Sequence, residues 1–331
     1  MPIISFCIPS YNNSQAAFQI VNDLLSSESE DFEIIICDDN SQDDTQELLS
    51  QINDKRFIYI RNAENLGAHK NWLKTLESGR GKYLYLVMGR DKLHGENITS
   101  LVELLRDKNF AFVRDKHNAK RSFKIYSGIS AMINFLGFNH PTGLIFNREN
   151  FSAIPEREKY FASSDMYPEN YIIRDLLLKG TGAEINSGIF RDEVVIDYAR
   201  KKSAVENDKN IFDAYYSPAR RTRQFFELVD MIDALPDIFT QHERNKYFHE
   251  KFSELLLAVT KAWRGLCANP DWQAHYNQAV RTVTRREMFR NIIQAVHDTT
   301  EHLRENHTYN FSRKLRMNYL AVKRFKRVLT G

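Results

Sequence analysis

The hydrophobic pattern of the first third of the chain alternates between two periods. Short runs of β-branched and aromatic residues are separated by stretches in which apolar side chains recur every three or four positions. This alternation is typical of a parallel sheet covered by helices. The strand-like runs are, in chain order, IISFCIP, FEIIICDD, RFIYIRN and KYLYLVMG. The second and fourth are almost continuously apolar, which predicts strands buried on both faces. We expect a Rossmann-like α/β domain with a mostly parallel sheet and helices on both faces.

The pattern changes further along the chain. Strand-like segments continue with longer loops between them, as FAFVRD, SFKIYS, GLIFNR and FRDEVVIDYA. From about Ile211 onward, segments of helical periodicity replace them, separated by Pro236 and the turn-like ANPDW, which predicts three or four appended helices. The expected organisation is an α/β domain over residues 1–203, with halves 1–115 and 116–203, a helical region over 204–308 and a tail over 309–331.

Composition is that of a folded protein. Of the 331 residues, 42% are hydrophobic and 12% aromatic, enough to fill one large core or two smaller ones. No run approaches the roughly 18 apolar residues of a membrane-spanning helix, and the first residues, MPIISFCIPS, lack the features of a signal peptide. The cysteines Cys7, Cys37 and Cys267 form no metal-binding spacing. We expect a cytoplasmic protein without disulfides.

Positive charge is concentrated in the tail. The formal net charge is +3, of which the last 23 residues supply +7 with no acid, which leaves −4 for the rest. Apolar residues of the tail fall near one helical face, and basic residues lie largely around it. The apolar residues are Phe311, Leu315, Tyr319, Val322 and Leu329, and the basic ones are Arg313, Lys314, Lys323, Arg324, Lys326 and Arg327.

Two structures explain this tail equally well. A helix with such faces can lie on an anionic membrane surface. Alternatively, the helix packs on protein and has a basic outer face. Its packing partner would be either the domain or another subunit, and packing on another subunit would make the protein a homo-oligomer. No basic-aromatic platform supports nucleic-acid binding, so we expect no nucleic-acid partner.

Polar residues follow the predicted strands of the first domain. In an open parallel sheet, ligands bind beyond the carboxyl ends of the strands. A tyrosine face there can stack on a nucleobase, and an aspartate can accept the imide N–H of uracil. The segments are Pro9–Asn13, Asp38–Ser41, Asn65–Gly67 and Gly89–Asp91. Neither GxGxxG nor GxxxxGK[ST] is present, which argues against a dehydrogenase and a P-loop ATPase. Taken alone, the pair Asp38 and Asp39 is equally explained as helix-capping and turn acids.

Four motifs together resemble a known family. They are ISFCIPSYNN, EIIICDDNSQDDT, NLGAHKNW and GKYLYLVMGRDKLHGENI, in that order. The chain resembles the inverting GT-A glycosyltransferases of family two, which transfer sugars from nucleotide diphosphates in bacterial polysaccharide assembly. The resemblance covers residues 2–115 and fades towards Arg200. It implies a GT-A fold, a UDP-sugar donor bound by residues 1–115, and a glycan or lipid-linked acceptor.

The resemblance also implies roles for individual residues. Pro9, Tyr11 and Asp39 would line the uridine pocket, Asn65, Gly67 and Lys70 would lie near the ribose and diphosphate, and His140 of the HPTG loop would approach the donor sugar. Structural alternatives exist for several of them: Tyr11 as a half-buried core tyrosine, Gly67 as a turn glycine, Lys70 as an exposed helix residue and His140 as a loop histidine.

The sequence departs from the family at its metal site. Members usually end the fourth strand in Asp-X-Asp, often followed by another Asp, and these carboxylates hold Mn²⁺ or Mg²⁺ against the diphosphate. Here the pattern falls on Met88, Gly89, Arg90 and Asp91, so only the last acid remains. Arg90 would itself meet the charge of the leaving diphosphate, or Asp91 would hold a loosely bound cation. A solvated Arg90–Asp91 surface pair is the structural alternative.

An inverting transfer needs a base that deprotonates the acceptor hydroxyl. The family places its base about a dozen residues before a Lys-Gly pair, which the segment YPENYIIRDLLLKG supplies. Glu169 is the predicted base, with Asp165 in reserve; a solvated acid at a helix start is the alternative for Glu169.

These observations predict a glycosyltransferase of bacterial surface-glycan synthesis in the cytoplasm, at the inner face of the plasma membrane if the tail binds lipid. The competing prediction is a non-catalytic nucleotide-binding scaffold, favoured by the missing metal-binding acids.

Overall fold

The computed structural model describes residues 1–89, 91–116, 123–137, 141–163, 167–194, 217–270 and 281–330. The chain forms two compact units, Met1–Ile196 and Asp197–Gly331. The predicted domain boundary at residue 203 lies outside the described residues.

The strands of the first unit are β1 Ile4–Ser10, β2 Phe32–Asp38, β3 Phe57–Arg61, β4 Tyr83–Leu86, β5 Asp91–Leu93, β6 Phe112–Asp115, β7 Phe123–Tyr126, β8 Leu144–Asn147, β9 Gly182–Ile185 and β10 Phe190–Val194. Eight of them form one sheet with the order β3-β2-β1-β4-β8-β6-β9-β7. Strands β7 and β8 run antiparallel to their neighbours, and the other pairs are parallel. Two further strands, β5 and β10, form a small antiparallel sheet.

Helices flank this sheet. They are α1 Ser14–Leu25, α2 Thr45–Ser50, α3 Ala68–Glu77, α4 Ile98–Arg106, α5 Gly128–Phe135, α6 Arg148–Ser152, α7 Glu158–Ser163 and α8 Glu169–Lys179. Strand β2 is buried along its whole length, as its apolar run predicts. Helix α1 turns Ala17, Ile20, Val21 and Leu24 inward, at the spacing of a helix with one apolar face.

The end of the fourth strand differs in detail from the sequence pattern. KYLYLVMG predicts one continuous strand, but the ladder of β4 ends at Leu86, and Asp91 already begins β5. Val87 still donates its N–H to the Cys7 carbonyl oxygen (3.0 Å), whereas the N–H of Met88 turns to the side-chain oxygen of Thr142 (2.8 Å). The chain therefore leaves the large sheet between these two residues.

The second unit is helical. Its elements are α9 Pro218–Asp233, α10 Gln241–Leu257, a π-helical segment Ala258–Ala262, α11 Trp263–Ala268, α12 Arg285–Glu305 and α13 Phe311–Thr330. Their buried faces form a separate core with Phe225, Phe248, Phe252, Ile292 and Met317 among its members. A mostly parallel α/β domain followed by a helical region confirms the predicted fold class.

Helix α13 packs against this core along one face. Arg313 is fully buried, and its Nη2 lies 2.6 Å from Oδ1 of Asp233 at the end of α9. No helix in the described part of the chain is both long and apolar enough to cross a bilayer.

Candidate functional site

The loops after β1 and β2 lock onto each other at the carboxyl edge of the sheet. The N–H of Asn12 donates to Oγ of Ser41, and the N–H of Gln42 donates to Oδ1 of Asn12, both at 2.8 Å. Asn12 and Asn40 adopt positive φ angles of 46° and 59°, a conformation that asparagine tolerates better than most residues. Tyr11 lies in the first of these loops with 43% of its surface exposed, so a ligand can reach it.

The neighbouring acids Asp38 and Asp39 have different partners. Asp38 is fully buried and accepts from the hydroxyl of Tyr59 (2.7 Å), Nη1 of Arg61 (2.9 Å) and the N–H of Ser41 (3.0 Å). Burial, reinforced by the carboxylate of Asp38, raises the pKa of Tyr59 to about 12. Asp38 is therefore the turn acid of this loop, as the structural interpretation expects.

Asp39 joins the end of β2 to the loop before α3. Its Oδ1 accepts from the N–H of Leu66 (2.8 Å) and from Nδ2 of Asn62 (2.9 Å), and its Oδ2 accepts from the N–H of Gly67 (2.9 Å). A carboxylate offers about four acceptor positions, and these donors use three of them. Asp39 is only 2% exposed. The predicted contact with uracil stays a prediction.

The loop before α3 presents the other predicted donor-binding residues. Gly67 has φ 81° and ψ 160°, a region that is essentially restricted to glycine, although a Cβ there would meet no atom within 4 Å. Asn65 and Lys70 are exposed on either side of it, while Pro9 is half-buried within β1. Pro9 is close to the end of β1 and the other three residues follow β3, so all four belong to the same sheet edge as Tyr11.

Asp91 is buried beside the loop that leads into β8. Oγ1 of Thr142 donates to its Oδ2, and Thr142 in turn accepts from the N–H of Met88. The other oxygen of Asp91, Oδ1, is buried without a hydrogen-bond partner. Asp91 is only 5% exposed, so it does not belong to a solvated surface pair. Arg90, His140 and the reserve base Asp165 lie outside the described residues.

These side chains do not form a divalent-metal site by themselves. Within the described ranges, no group of three or more His, Cys, Asp or Glu residues gathers at one point. Asp91 contributes a single free oxygen, and the sequence has Met88 and Arg90 at the two positions of the family's Asp-X-Asp. A Mg²⁺ or Mn²⁺ ion usually needs more oxygen ligands than this, so it would have to take them from substrate and water.

Glu169 is the first residue of α8 and is only 2% exposed. Both of its side-chain oxygens are buried without a hydrogen-bond partner. Burial raises the pKa of Glu169 to about 8, although the nearby N–H dipole of its own backbone partly opposes the shift. The alternative of a solvated helix-start acid is therefore wrong.

The topology brings Glu169 to the same edge as the strand ends. Only two residues separate α8 from β9, and β9 runs parallel to β6. Because a helix that packs on the sheet must return to the amino end of the next parallel strand, α8 begins at the carboxyl edge. Its second residue, Asn170, exchanges two hydrogen bonds of 3.0 Å with the backbone of Gly137, which follows α5.

Unpaired polar atoms accumulate at this edge. Buried side-chain atoms usually have a hydrogen-bond partner, so exceptions point to an absent ligand or to function. Within the described residues, the unpaired atoms here are Oγ of Ser10, Oδ1 of Asn62, Oδ1 of Asp91 and both carboxylate oxygens of Glu169.

The sequence places Ser10 in the segment Pro9–Asn13 without indicating a role for it, and it does not single out Asn62. Ser10 ends β1 and Asn62 directly follows β3, so their position at strand ends was the available signal.

Comparisons of the sequence and of the fold relate this chain to known proteins. The model of the family described as "Glycosyl transferase family 2" matches residues 5–162. The chain is 28% identical over 125 residues to the Escherichia coli UDP-Glc:alpha-D-GlcNAc-diphosphoundecaprenol beta-1,3-glucosyltransferase WfaP, which covers 38% of this chain and 50% of that protein. It is 27% identical over 203 residues to the abequosyltransferase RfbV of Salmonella typhimurium, which covers 52% of this chain and 60% of that protein.

The chain therefore spans half to three fifths of these two relatives. In structure it resembles residues 1–349 of S. aureus TarS, crystallised in complex with UDP-GlcNAc, with a TM-score of 0.56 and 13% identity over 99% of this chain and 90% of that one. This likeness concerns the fold. The family model covers residues 5–162, so this part of the chain is similar to glycosyl transferase family 2, and the likeness to TarS shows a GT-A-like fold.

Proposed function

We propose that this protein transfers a sugar, with inversion, from a UDP-sugar to a glycan or lipid-linked acceptor in bacterial surface polysaccharide synthesis. The observation that carries the proposal is the set of buried, unpaired polar atoms of Ser10, Asn62, Asp91 and Glu169 at the carboxyl edge of the sheet. The name of the WfaP relative includes both a UDP-sugar and a diphosphoundecaprenol-linked acceptor, which supports this substrate class.

The nucleotide would bind across the ends of β1 and β2. The exposed ring of Tyr11 is available to stack on the base, and Pro9 lies directly before this loop. Asp39 has one acceptor position left for the imide N–H of uracil. The rigid hydrogen bonds of the surrounding loops hold both groups before the ligand arrives, which lowers the entropy cost of binding.

The diphosphate would lie near the start of α3. Negative charge develops on it as the sugar bond breaks, and preorganised cations or donors stabilise that charge. Lys70 in the first turn of α3 is exposed and able to reach such a group, next to Asn65 and Gly67. Arg90 and His140 would complete this environment. The free oxygen of Asp91 would accept a hydrogen bond from a hydroxyl of the donor sugar or contact a substrate-bound cation.

Glu169 would act as the base. Its ionised carboxylate takes the proton of the acceptor hydroxyl as that oxygen attacks the anomeric carbon, while the UDP leaves from the opposite face. Burial makes this carboxylate a stronger base than an ordinary glutamate, and a pKa of about 8 lies close to physiological pH. The transfer rate should therefore rise with pH as Glu169 ionises, with an apparent pKa near 8, and level off at higher pH.

Turnover with a panel of UDP-sugars, followed as UDP release, tests the proposal. We expect at least one UDP-sugar to be consumed by the parent, and we expect Glu169→Gln to abolish transfer while UDP binding persists. Glu149→Gln, at an exposed acid in the first turn of α6, is the matched control and should leave turnover unchanged. UDP binding without turnover on any donor would instead identify a non-catalytic scaffold.

A further inference from the structure

Helix α13 has apolar side chains on two opposite faces. One face carries Met317, Leu320, Ala321 and Val328, which are buried in the core of the second unit. The other face carries five apolar residues that are 52–78% exposed, here called the apolar stripe: Phe311, Leu315, Tyr319, Val322 and Leu329. At about 100° per residue these five fall within an arc of about 80°. Burial of the opposite face fixes the direction in which the stripe points.

Cations border the stripe. Of the seven Lys and Arg residues in residues 309–331, two are engaged in the protein: Arg313 pairs with Asp233, and Nε of Arg324 donates to Oγ1 of Thr260 at 2.6 Å. The remaining five are exposed: Lys314, Arg316, Lys323, Lys326 and Arg327. Two of these cations approach the ring of Tyr319, with Arg316 at 5.2 Å and Lys323 at 5.9 Å from its centroid.

We propose that α13 is a preformed docking surface for an anionic lipid bilayer. The stripe would enter the boundary between headgroups and acyl chains, and the five exposed cations would contact lipid phosphates. A tyrosine flanked by cations suits the same boundary, because its ring is apolar and its hydroxyl remains in contact with water. This inference concerns the second unit and does not depend on the transferase proposal.

Charge disfavours a second copy of this chain as the occupant. Two stripes packed together would bring ten exposed cations into one interface with no acid from either tail, and desolvated like charges repel. An anionic membrane supplies an apolar interior for the stripe and negative charge for the cations around it.

Co-sedimentation of the full chain with lipid vesicles tests the proposal. We expect binding to vesicles with about 30% phosphatidylglycerol in phosphatidylcholine, little binding to pure phosphatidylcholine, and weaker binding at about 0.5 M salt. Each Lys near an anionic surface contributes about 1 kcal/mol, or roughly fivefold in affinity, so Lys323→Gln with Lys326→Gln should weaken binding about 25-fold. Leu315→Gln with Val322→Gln should weaken it at least about tenfold.

Ile293→Gln is the matched control, since Ile293 is 61% exposed but lies on α12 rather than on the stripe. It should bind vesicles like the parent. Equal binding to neutral and anionic vesicles, or stripe variants that bind like the parent, would overturn the proposal. So would a dimer in sedimentation velocity that the stripe variants dissociate, because the stripe would then be a subunit interface. Vesicle binding by a protein that fails to bind UDP would leave this inference standing and remove the proposed function.

Discussion

At the scale of single residues, burial gives Glu169 its chemistry. A glutamate at the start of a helix is ordinarily solvated and acidic, and the helix N-terminus stabilises its ionised form. Here the carboxyl is buried without a partner, and the cost of desolvating the charge exceeds that stabilisation, so the pKa rises to about 8. The same burial that suits a base should cost folding stability at alkaline pH.

Glu169 makes stability depend on pH in a defined direction. Its pKa is about 8 in the folded protein against an ordinary value of 4.5, so the folded state binds the proton more tightly than the unfolded state. Folding stability therefore falls as pH rises from about 4.5 and levels off above about 8. We expect Glu169→Gln to remove this decline and to melt at a higher temperature than the parent at pH 8. Melting curves between pH 5 and pH 9 measure it, with Glu149→Gln as the control; parallel parent and Glu169→Gln profiles would contradict the buried, protonated state.

Asp39 and Asp38 provide a second test at this scale. We expect Asp39→Asn to lower UDP affinity at least about tenfold, because a hydrogen bond to a charged group is lost. CDP offers no imide N–H, so its affinity should change much less. A loss of loop order alone would weaken both nucleotides equally. Asp38→Asn is the control and should lower thermal stability while leaving the preference for UDP over CDP intact. Titration calorimetry measures both affinities, and an unchanged UDP affinity in Asp39→Asn would refute the uracil contact.

At the scale of elements, the loop before α3 depends on one backbone conformation. Gly67 is held by Asp39 at a φ and ψ that other residues rarely adopt, and no neighbouring atom crowds it. The strain of a substitution there would therefore come from the backbone alone.

Alanine substitution at two uncrowded glycines should change the folding stability in opposite directions. We expect Gly67→Ala to destabilise the protein by about 1–3 kcal/mol and to weaken nucleotide binding. Gly265 lies in the α-helix Trp263–Ala268, where a Cβ also meets nothing within 4 Å, so Gly265→Ala should be neutral or stabilising by up to about 1 kcal/mol. Calorimetric unfolding of both variants measures the effects. A stabilised Gly67→Ala protein would show that the loop conformation is not strained by a side chain.

At the scale of the whole molecule, the two units offer separate surfaces. The first unit gathers unpaired polar atoms at one sheet edge, and the second exposes an apolar stripe bordered by cations. Whether transfer depends on a divalent metal ion is a property of the whole site, because it reflects every charge around the diphosphate rather than one side chain.

We expect transfer to persist in excess chelator, since Asp91 supplies only one free carboxylate oxygen at the family's metal position and the sequence adds Arg90 there. Arg90→Gln should lower the turnover rate about 100-fold, the size typical of a lost charge-stabilising donor. Lys108→Gln, an exposed cation before β6 at the opposite sheet edge, is the control and should leave the rate unchanged. Complete loss of activity in chelator with recovery on adding Mn²⁺ would contradict this expectation.

The sequence by itself determined the fold class, because apolar runs such as FEIIICDD and the spacing of α1 depend only on local periodicity. It also identified the polar segments at the strand ends, since their position follows from where each run stops. The burial of Glu169, the different partners of Asp38 and Asp39 and the unpaired oxygens of Ser10 and Asn62 were decided only by the tertiary structure. Desolvation and hydrogen-bond partners come from residues distant in the chain, so no local pattern encodes them. For the tail, the sequence identified the apolar face that α13 exposes, and only packing against the helical core revealed the opposite face that is buried.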